Sequence, residues 1–186
     1  MTDEPLEIMA PSEKSLERLA ELWGLVAQGS ASPQERLDAA WMAGELGERS
    51  LLPRVKALLE DEDGQVRYYA LQALVIDLGE RTPEMTEVSW KLLETDPDED
   101  VQSMAASCLS SIYFGQRKKE IFRRTVDLLR GDSLSGYVKG GLYGLLHKLA
   151  GLPPREWPGL WGPRKVFEDS DIDWEKVGEL EMMMTE

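Results

Sequence analysis

Residues that could carry out acid–base or nucleophilic chemistry are few in this chain, and no recognisable spacing groups them. The single histidine, His147, stands beside Lys148 near the end of a predicted helix, where the helix dipole favours a cationic residue. A general base needs a nucleophile and an orienting group within hydrogen-bond reach, and no motif here supplies them. We therefore predict no catalytic residues and no enzyme activity.

The residues that could bind a metal ion or react as a thiol also favour structural roles. The single cysteine, Cys108, lies on an apolar helix face, which is typical of a small buried hydrophobe rather than a reactive thiol. The acidic segments 60–64 and 96–100 lack the ligand order of a calcium loop. Acidic side chains before a helix are favoured by its dipole without any metal. We predict neither a metal nor a cofactor.

Four segments of the chain align with one another, and they indicate the elements that position these residues. The segments start near residues 35, 66, 101 and 138, a period of 31 to 37 residues. Such periods are typical of stacked helical pairs, because one pair cannot bury its apolar face without a neighbour. Each segment predicts a first helix (A), a short turn and a second helix (B).

Local signals mark the ends of the predicted helices. Ser32, Pro33 and Glu35 form a strong start signal, since the serine can cap free amides and the glutamate completes a capping box. A Leu-Gly or similar pair closes the A helices, because glycine adopts the left-handed conformation easily. The glycines concerned are Gly47, Gly79 and Gly115. A further helix, from Ser12 to Gly29, is predicted to cap the stack.

The aligned pattern Val-Arg-x-x-Ala-Ala-x-Ala-Leu, closed by Leu-Gly and then by paired leucines, resembles HEAT repeats. It is most similar to the short HEAT-like repeats first described in phycobilin lyases. The resemblance covers residues 32–150. Repeat 4 departs from the pattern, because Gly140, Gly141 and Gly144 lie in its first helix and no second helix is evident.

The resemblance implies an all-α fold, a right-handed α-solenoid of about four HEAT-like helical hairpins. The expected organisation is a disordered leader over 1–11, the solenoid with its N-terminal capping helix over 12–150, and a tail over 151–186. We expect this tail to be irregular, acidic and rich in Pro and Trp, with a short amphipathic helix. Trp157 and Trp161 are expected to pack against the last repeat and its glycines.

Composition limits the function classes. The chain has 186 residues, 42% of them hydrophobic, which is too many for a disordered chain. No apolar run is long enough to span a membrane, and the acidic N-terminus is unlike a secretory signal. We therefore expect a cytoplasmic monomer.

The net charge of −14 is unevenly distributed along the chain. Residues 1–100 carry 9 basic and 23 acidic residues, residues 101–165 carry 11 and 4, and residues 166–186 carry 1 and 8. Such alternation can steer a charged partner or hold an acidic tail against a basic face. One hypothesis is that this tail shields the basic helix 117–130.

Two surfaces are candidates for binding a partner. Solenoids commonly bind along the ridge of their B helices, and Trp and Arg are frequent interface anchors. The predicted outward residues of this B-helix ridge are Arg54, Glu87, Trp90, Lys91, Arg123 and Arg124. The alternative is a solvated ridge in which Trp90 is partly buried between repeats.

The second candidate surface is a bulky apolar patch on the A helices of the first two repeats, formed by Leu37, Trp41, Tyr68 and Tyr69. It could be a contact site, or the leader or N-terminal helix could fold over it.

The function favoured by the sequence is a non-enzymatic protein–protein interaction module, an adaptor or scaffold that binds a protein partner. A sharper alternative is a bacterial immunity protein that neutralises a basic toxin, since a negative surface speeds capture of such a protein. Further alternatives are a chromophore-lyase-like protein and a nucleic-acid-binding protein. The six cations over 117–130 could contact phosphates, but the acidic first half disfavours nucleic acid.

Overall fold

The computed structural model of the protein describes residues 12–158 and 167–185, so the predicted leader and Trp161 lie outside the described residues. Regular structure in these ranges is helical, and an isolated bridge between Lys118 and Thr185 is their one β-type pairing. The predicted all-α solenoid is confirmed. The helices are α1 (Glu13–Ala27), α2 (Pro33–Glu45), α3 (Leu52–Ala57), α4 (Gly64–Gln72), α5 (Pro83–Thr95), α6 (Glu99–Ile112), α7 (Lys119–Arg130), α8 (Gly136–Leu149) and α9 (Trp174–Met182).

The helix ends follow the predicted local signals. The Ser32 hydroxyl accepts a hydrogen bond from the backbone amide of Glu35, and the Glu35 carboxylate accepts one from the backbone amide of Ser32. The two bonds form a complete capping box. The three predicted stop glycines have φ between +66° and +70°, where a side chain would add strain. A π-helical turn, Ala73–Asp77, extends α4. This turn shifts the register of the last residues of α4 relative to a regular helix.

Helices α2, α4, α6 and α8 are the A helices, and each packs directly against the next in a single layer. Small residues permit this close approach. Ala39, Ala40 and Ala43 are fully buried, and a Cβ added at Gly44 would lie only 3.0 Å from the Cβ of Ala73. Larger side chains would force the helices apart and overpack the crossing. The B helices α3, α5 and α7 cover the other side of the core.

An ion pair joins the first helical turn of an A helix to the loop that precedes the next A helix. Arg36 pairs with Asp61 at 2.7 Å, and Arg67 makes two bonds to Asp96, at 2.8 and 2.7 Å. Both members of the second pair are buried, and Arg67 also donates to the carbonyls of residues 61 and 62. These contacts fix the spacing and angle between successive repeats, because a bidentate guanidinium–carboxylate pair tolerates little distortion.

The tail ends the stack in a way that the sequence did not indicate. Lys139, equivalent to Arg36 and Arg67 in the alignment, is buried and pairs with Asp169 at 2.8 Å. The segment around Asp169 therefore takes the place of an inter-repeat turn. It leads into α9, where Asp173 caps the first turn as the aspartates before α4 and α6 do.

Helix α9 covers the open end of the last repeat. Its Val177 and Leu180 are buried, as are Phe167 and Ile172 before it. The helix runs antiparallel to α7. Trp174 at its start stacks on Arg130 at the end of α7, while Thr185 beyond its end pairs with Arg117, just before α7. Repeat 4 thus obtains its apolar cover from the tail.

The expectation for the glycines of repeat 4 needs correction. The Phe167 ring, rather than Trp157, lies against Gly140, 3.3 Å from the position of a Cβ there. Trp157 contacts the opposite end of α8, where Lys148 lies over its ring and Phe114 meets it edge-on. Its indole N–H donates to the carbonyl of Leu152 at 2.7 Å.

The buried Arg67–Asp96 pair yields a stability prediction. Arg67→Met should lower the free energy of unfolding by about 3–5 kcal/mol, because Asp96 stays buried without its cation. Lys56→Met, which removes the exposed pair with Glu84, is the matched control and should cost less than about 1 kcal/mol. Urea unfolding followed by circular dichroism measures both. Equal losses would contradict the role given to the buried pair.

The tail contact yields a second prediction. A Cβ at Gly136 would lie 2.1 Å from the carbonyl oxygen of Phe167, so Gly136→Ala should displace the turn and loosen α9. Hydrogen exchange over residues 174–182 should become faster. Gly178→Ala in α9 itself meets nothing within 4 Å and should stabilise that helix by about 1 kcal/mol. Unchanged exchange in Gly136→Ala would show that the tail is held in another way.

Candidate partner-binding surfaces

The B-helix ridge presents most of its predicted residues to solvent. Arg54 on α3, Glu87 and Lys91 on α5, and Arg123 on α7 are exposed. They are spread over three helices, and no ion pair or hydrogen bond joins one of these four described residues to another. The ridge is therefore a string of separate charges rather than a continuous apolar surface.

The predicted outward position of Trp90 is wrong, because its side chain is buried more completely than even the partly buried alternative supposed. Trp90 is 1% exposed, and its ring lies 6.5 Å from that of Tyr113. The guanidinium of Arg124 stacks over the Trp90 ring at 4.1 Å and donates to Glu94 at 2.6 Å. Trp90 fills the space between repeats, and Arg124 is held by two neighbours, so neither is free to anchor a partner.

A groove of about 440 Å³ lies between α7 and α9. Its base is apolar, with Phe122, Val126 and Val177, and Trp174 is 40% exposed at one end. Charges of both signs line its walls: Arg123, Asp127, Arg130 and Glu181. The predicted shielding of the basic helix by the tail stays a prediction. Helix α9 lies beside α7, and the Arg130 guanidinium of α7 stacks on the Trp174 ring of α9. Asp169 of the tail forms an ion pair with Lys139 of α8.

The A helices carry a group of aromatic residues on their outward side. Gly44 of α2 lies against Ala73 at the end of α4. One turn before these residues, Trp41 of α2 is exposed and Tyr69 of α4, with its neighbour Tyr68, is partly exposed. Similarly, Gly141 of α8 lies against Ala106 of α6, which places Tyr137 beside the first turns of α6. We call the surface formed by Leu37, Trp41, Tyr68, Tyr69 and Tyr137 the aromatic face.

Tyrosines from separate repeats come together on this face. The Tyr68 and Tyr69 rings meet edge-on, with centroids 5.1 Å apart. Burial raises the pKa of Tyr68, and the proximity of Tyr137, Tyr69 and Asp100 raises it further. Tyr68 of α4 and Tyr137 of α8 are therefore close enough to interact, although they belong to the repeats on either side of α6.

The aromatic face is substantially exposed. Tyr137 is 55% exposed and Trp41 is 43% exposed, whereas Leu37, Tyr68 and Tyr69 are half-buried. Helix α1 packs against α2 but leaves the Trp41 ring open, so cover by this helix, one of the two predicted alternatives, is not observed. The leader, the other candidate cover, lies outside the described residues.

Two carboxylates flank the aromatic face near the ends of α2 and α4. Asp77, in the π-helical turn, has its oxygen 2.6 Å from the position of a Cβ on Gly44, so the glycine makes room for the carboxylate. Burial raises the pKa of Asp77, and the negative charge of Glu45 adds to the rise. The side chain of Gln72 donates a hydrogen bond that partly offsets both effects.

The residues considered for chemistry lie in structural settings. Burial raises the pKa of the Cys108 thiol strongly, so the reactive thiolate is suppressed. His147 is 3% exposed, and its Nδ1 is 2.9 Å from the Tyr143 carbonyl. Within residues 12–158 and 167–185, no group of three His, Cys, Asp or Glu is placed to hold a metal ion. Over the same ranges, no helix is long and apolar enough to cross a membrane.

Comparison with protein families supports HEAT-like repeats in the first part of the chain. A family model of HEAT repeats matches residues 20–110, which extend from α1 into α6. A search of the curated proteins and a search of the solved structures give no significant match.

The buried histidine predicts a pH dependence of stability. Burial lowers the pKa of His147 below its usual value of 6.5, and the hydrogen bond with the Tyr143 carbonyl offsets this only in part. The neutral form is therefore favoured in the folded protein, and its contribution is complete above pH 6.5. As the pH falls below 6.5, the unfolded chain takes up the proton first, so the free energy of unfolding decreases.

This loss should continue until the pH falls below the pKa of His147 in the folded protein. Urea unfolding between pH 5 and pH 8, compared with His147→Gln, isolates the effect, because the chain has one histidine. A wild-type profile that parallels the variant would contradict the assignment.

Proposed function

We propose that this chain, a HEAT-like repeat protein, binds a protein partner through its aromatic face and catalyses no reaction. HEAT repeats generally mediate protein–protein interaction. The observation that carries the proposal is the group of solvent-exposed aromatic rings, led by Trp41 and Tyr137, on closely packed helices. Tryptophan and tyrosine are the side chains that most often anchor interfaces, since they bury a large area with few rotatable bonds.

The B-helix ridge supports binding less well. Its one tryptophan, Trp90, is inside the fold, and Arg124 and Lys56 are already paired with Glu94 and Glu84. An interface on the ridge would have to break or solvate these contacts. The aromatic face needs no such rearrangement.

The rigidity of the A layer supports the same choice. Rings that stand on helices held by buried ion pairs lose little freedom when a partner covers them. Exposed aromatic groups on a monomer are otherwise a liability for aggregation, so their grouping favours a contact surface.

Site-specific photo-crosslinking tests the proposal. A benzophenone amino acid at position 41 or 137, in extracts of the native organism, should yield an adduct whose partner is identified by mass spectrometry. The same group at Lys91 reports on the ridge. The purified partner should then bind Trp41→Ala more weakly by about 2 kcal/mol.

Trp174→Ala is the matched control, because Trp174 is 40% exposed but lies at the α7–α9 groove. It should leave affinity unchanged. Adducts from position 91 alone would show that the partner binds the B-helix ridge. Equal losses of affinity in both tryptophan variants would contradict binding through the aromatic face.

A further inference from the structure

The A helices of the first three repeats offer no free cation to a partner. Helices α2, α4 and α6, which are described over their whole length, contain two basic residues, Arg36 and Arg67. Arg36 is bound to Asp61, and Arg67 is buried against Asp96. Both cations are therefore neutralised inside the stack, away from the outward side.

Carboxylates, by contrast, occupy both ends of the aromatic face. Glu45 and Asp77 lie at the carboxyl ends of α2 and α4. Asp100 lies at the start of α6 and is close enough to Tyr68 to act on its pKa. Its backbone amide is bonded to Asp98, but no cation within ion-pair distance accompanies any of the three among the described residues.

Basic side chains on the neighbouring segments have other partners. Arg49, after α2, donates to the carbonyl of Leu78 and pairs with Glu80 at 2.6 Å. Arg81, after the π-helical turn, donates to Ser111 at 2.9 Å. Lys148, at the end of α8, lies 5.0 Å from the centroid of the Trp157 ring. The outward side of α2, α4 and α6 is thus both aromatic and negative.

We infer that the aromatic face receives a lysine- or arginine-rich segment of the protein partner. This inference rests on the proposed function and names the chemistry of the partner. Cationic side chains are attracted to the faces of tryptophan and tyrosine rings, and carboxylates at the two ends would pair with further cations of the same segment.

The same features disfavour other partners. Phosphates of a nucleic acid and an acidic polypeptide would both be repelled by Glu45, Asp77 and Asp100. A purely apolar segment would leave these carboxylates desolvated without a partner. The basic toxin considered for an immunity protein is one example of a protein that carries such a segment.

Fluorescence polarisation with synthetic peptides tests the inference on the full chain. The probe is a short labelled peptide that alternates lysine and glycine, and the comparison peptide carries glutamate in place of lysine. The lysine peptide should bind and the glutamate peptide should not. Affinity should fall as salt is raised, because exposed charges are screened.

Two variants locate the binding. Glu45→Gln combined with Asp77→Asn should weaken the lysine peptide about tenfold, and Trp41→Leu should weaken it about threefold through loss of the cation–π contact. Glu60→Gln combined with Glu87→Gln changes the net charge equally but lies on the B-helix side. This control should leave the affinity for the lysine peptide within about twofold of the wild type, because only the small effect of net charge remains. Circular dichroism and thermal unfolding verify that all variants fold.

Each contrary result has a distinct meaning. Equal weakening by the two double variants would show that the affinity for the lysine peptide depends on net charge rather than on the aromatic face. That result would overturn the inference. Binding of the glutamate peptide or of single-stranded DNA, or no binding of the lysine peptide, would also overturn it. The crosslinking experiment at position 41 does not depend on these peptides. It therefore tests the proposed function independently of the partner's charge.

Discussion

The close crossing of successive A helices is the constraint on which the rest of the structure depends. Alanines and two glycines, Gly44 and Gly141, let the backbones approach at the crossings, and larger side chains there would separate them. The buried Arg67–Asp96 pair then fixes the angle at one crossing, since its two hydrogen bonds allow little rotation. Packing supplies the proximity and the ion pairs supply the geometry, so aromatic residues far apart in sequence become neighbours on one face.

This arrangement also separates the charges of the protein. Basic residues near the starts of A helices are drawn inward to the turns between repeats, as Arg36, Arg67 and Lys139 show. The outward side of the first three repeats is left with carboxylates and rings. The inter-repeat contacts therefore determine the character of the surface as well as the stability of the stack.

Much of the fold follows from local chemistry and was predictable from the sequence. The capping box at Ser32 and Glu35 and the glycines with positive φ depend on neighbouring residues only, so the pattern identified them. The position of Trp90 was not predictable in the same way, because a helix with apolar residues on two sides gives no unique outward direction. The π-helical turn at Ala73–Asp77 changes the register by a mechanism that no sequence pattern announced.

Contacts between residues far apart in the sequence could not be predicted in this way. The contact between Lys139 and Asp169 spans a segment rich in proline, and only the equivalence of Lys139 to Arg36 and Arg67 in the alignment hints at it. Of the aromatic face, Leu37, Trp41, Tyr68 and Tyr69 were identified from helical positions. Tyr137 was missed, because its proximity to Tyr68 joins residues of two different repeats that no local pattern relates.

The most direct test of the account is fluorine NMR of protein labelled with 5-fluorotryptophan, recorded before and after a captured partner is added. The chain contains six tryptophans, of which Trp41 reports on the aromatic face, Trp174 on the α7–α9 groove, and the buried Trp23 and Trp90 on the core. The Trp41 resonance should shift or broaden, while the resonances of Trp23, Trp90 and Trp174 should stay in place. A shift of Trp174 with an unchanged Trp41 resonance would contradict binding at the aromatic face.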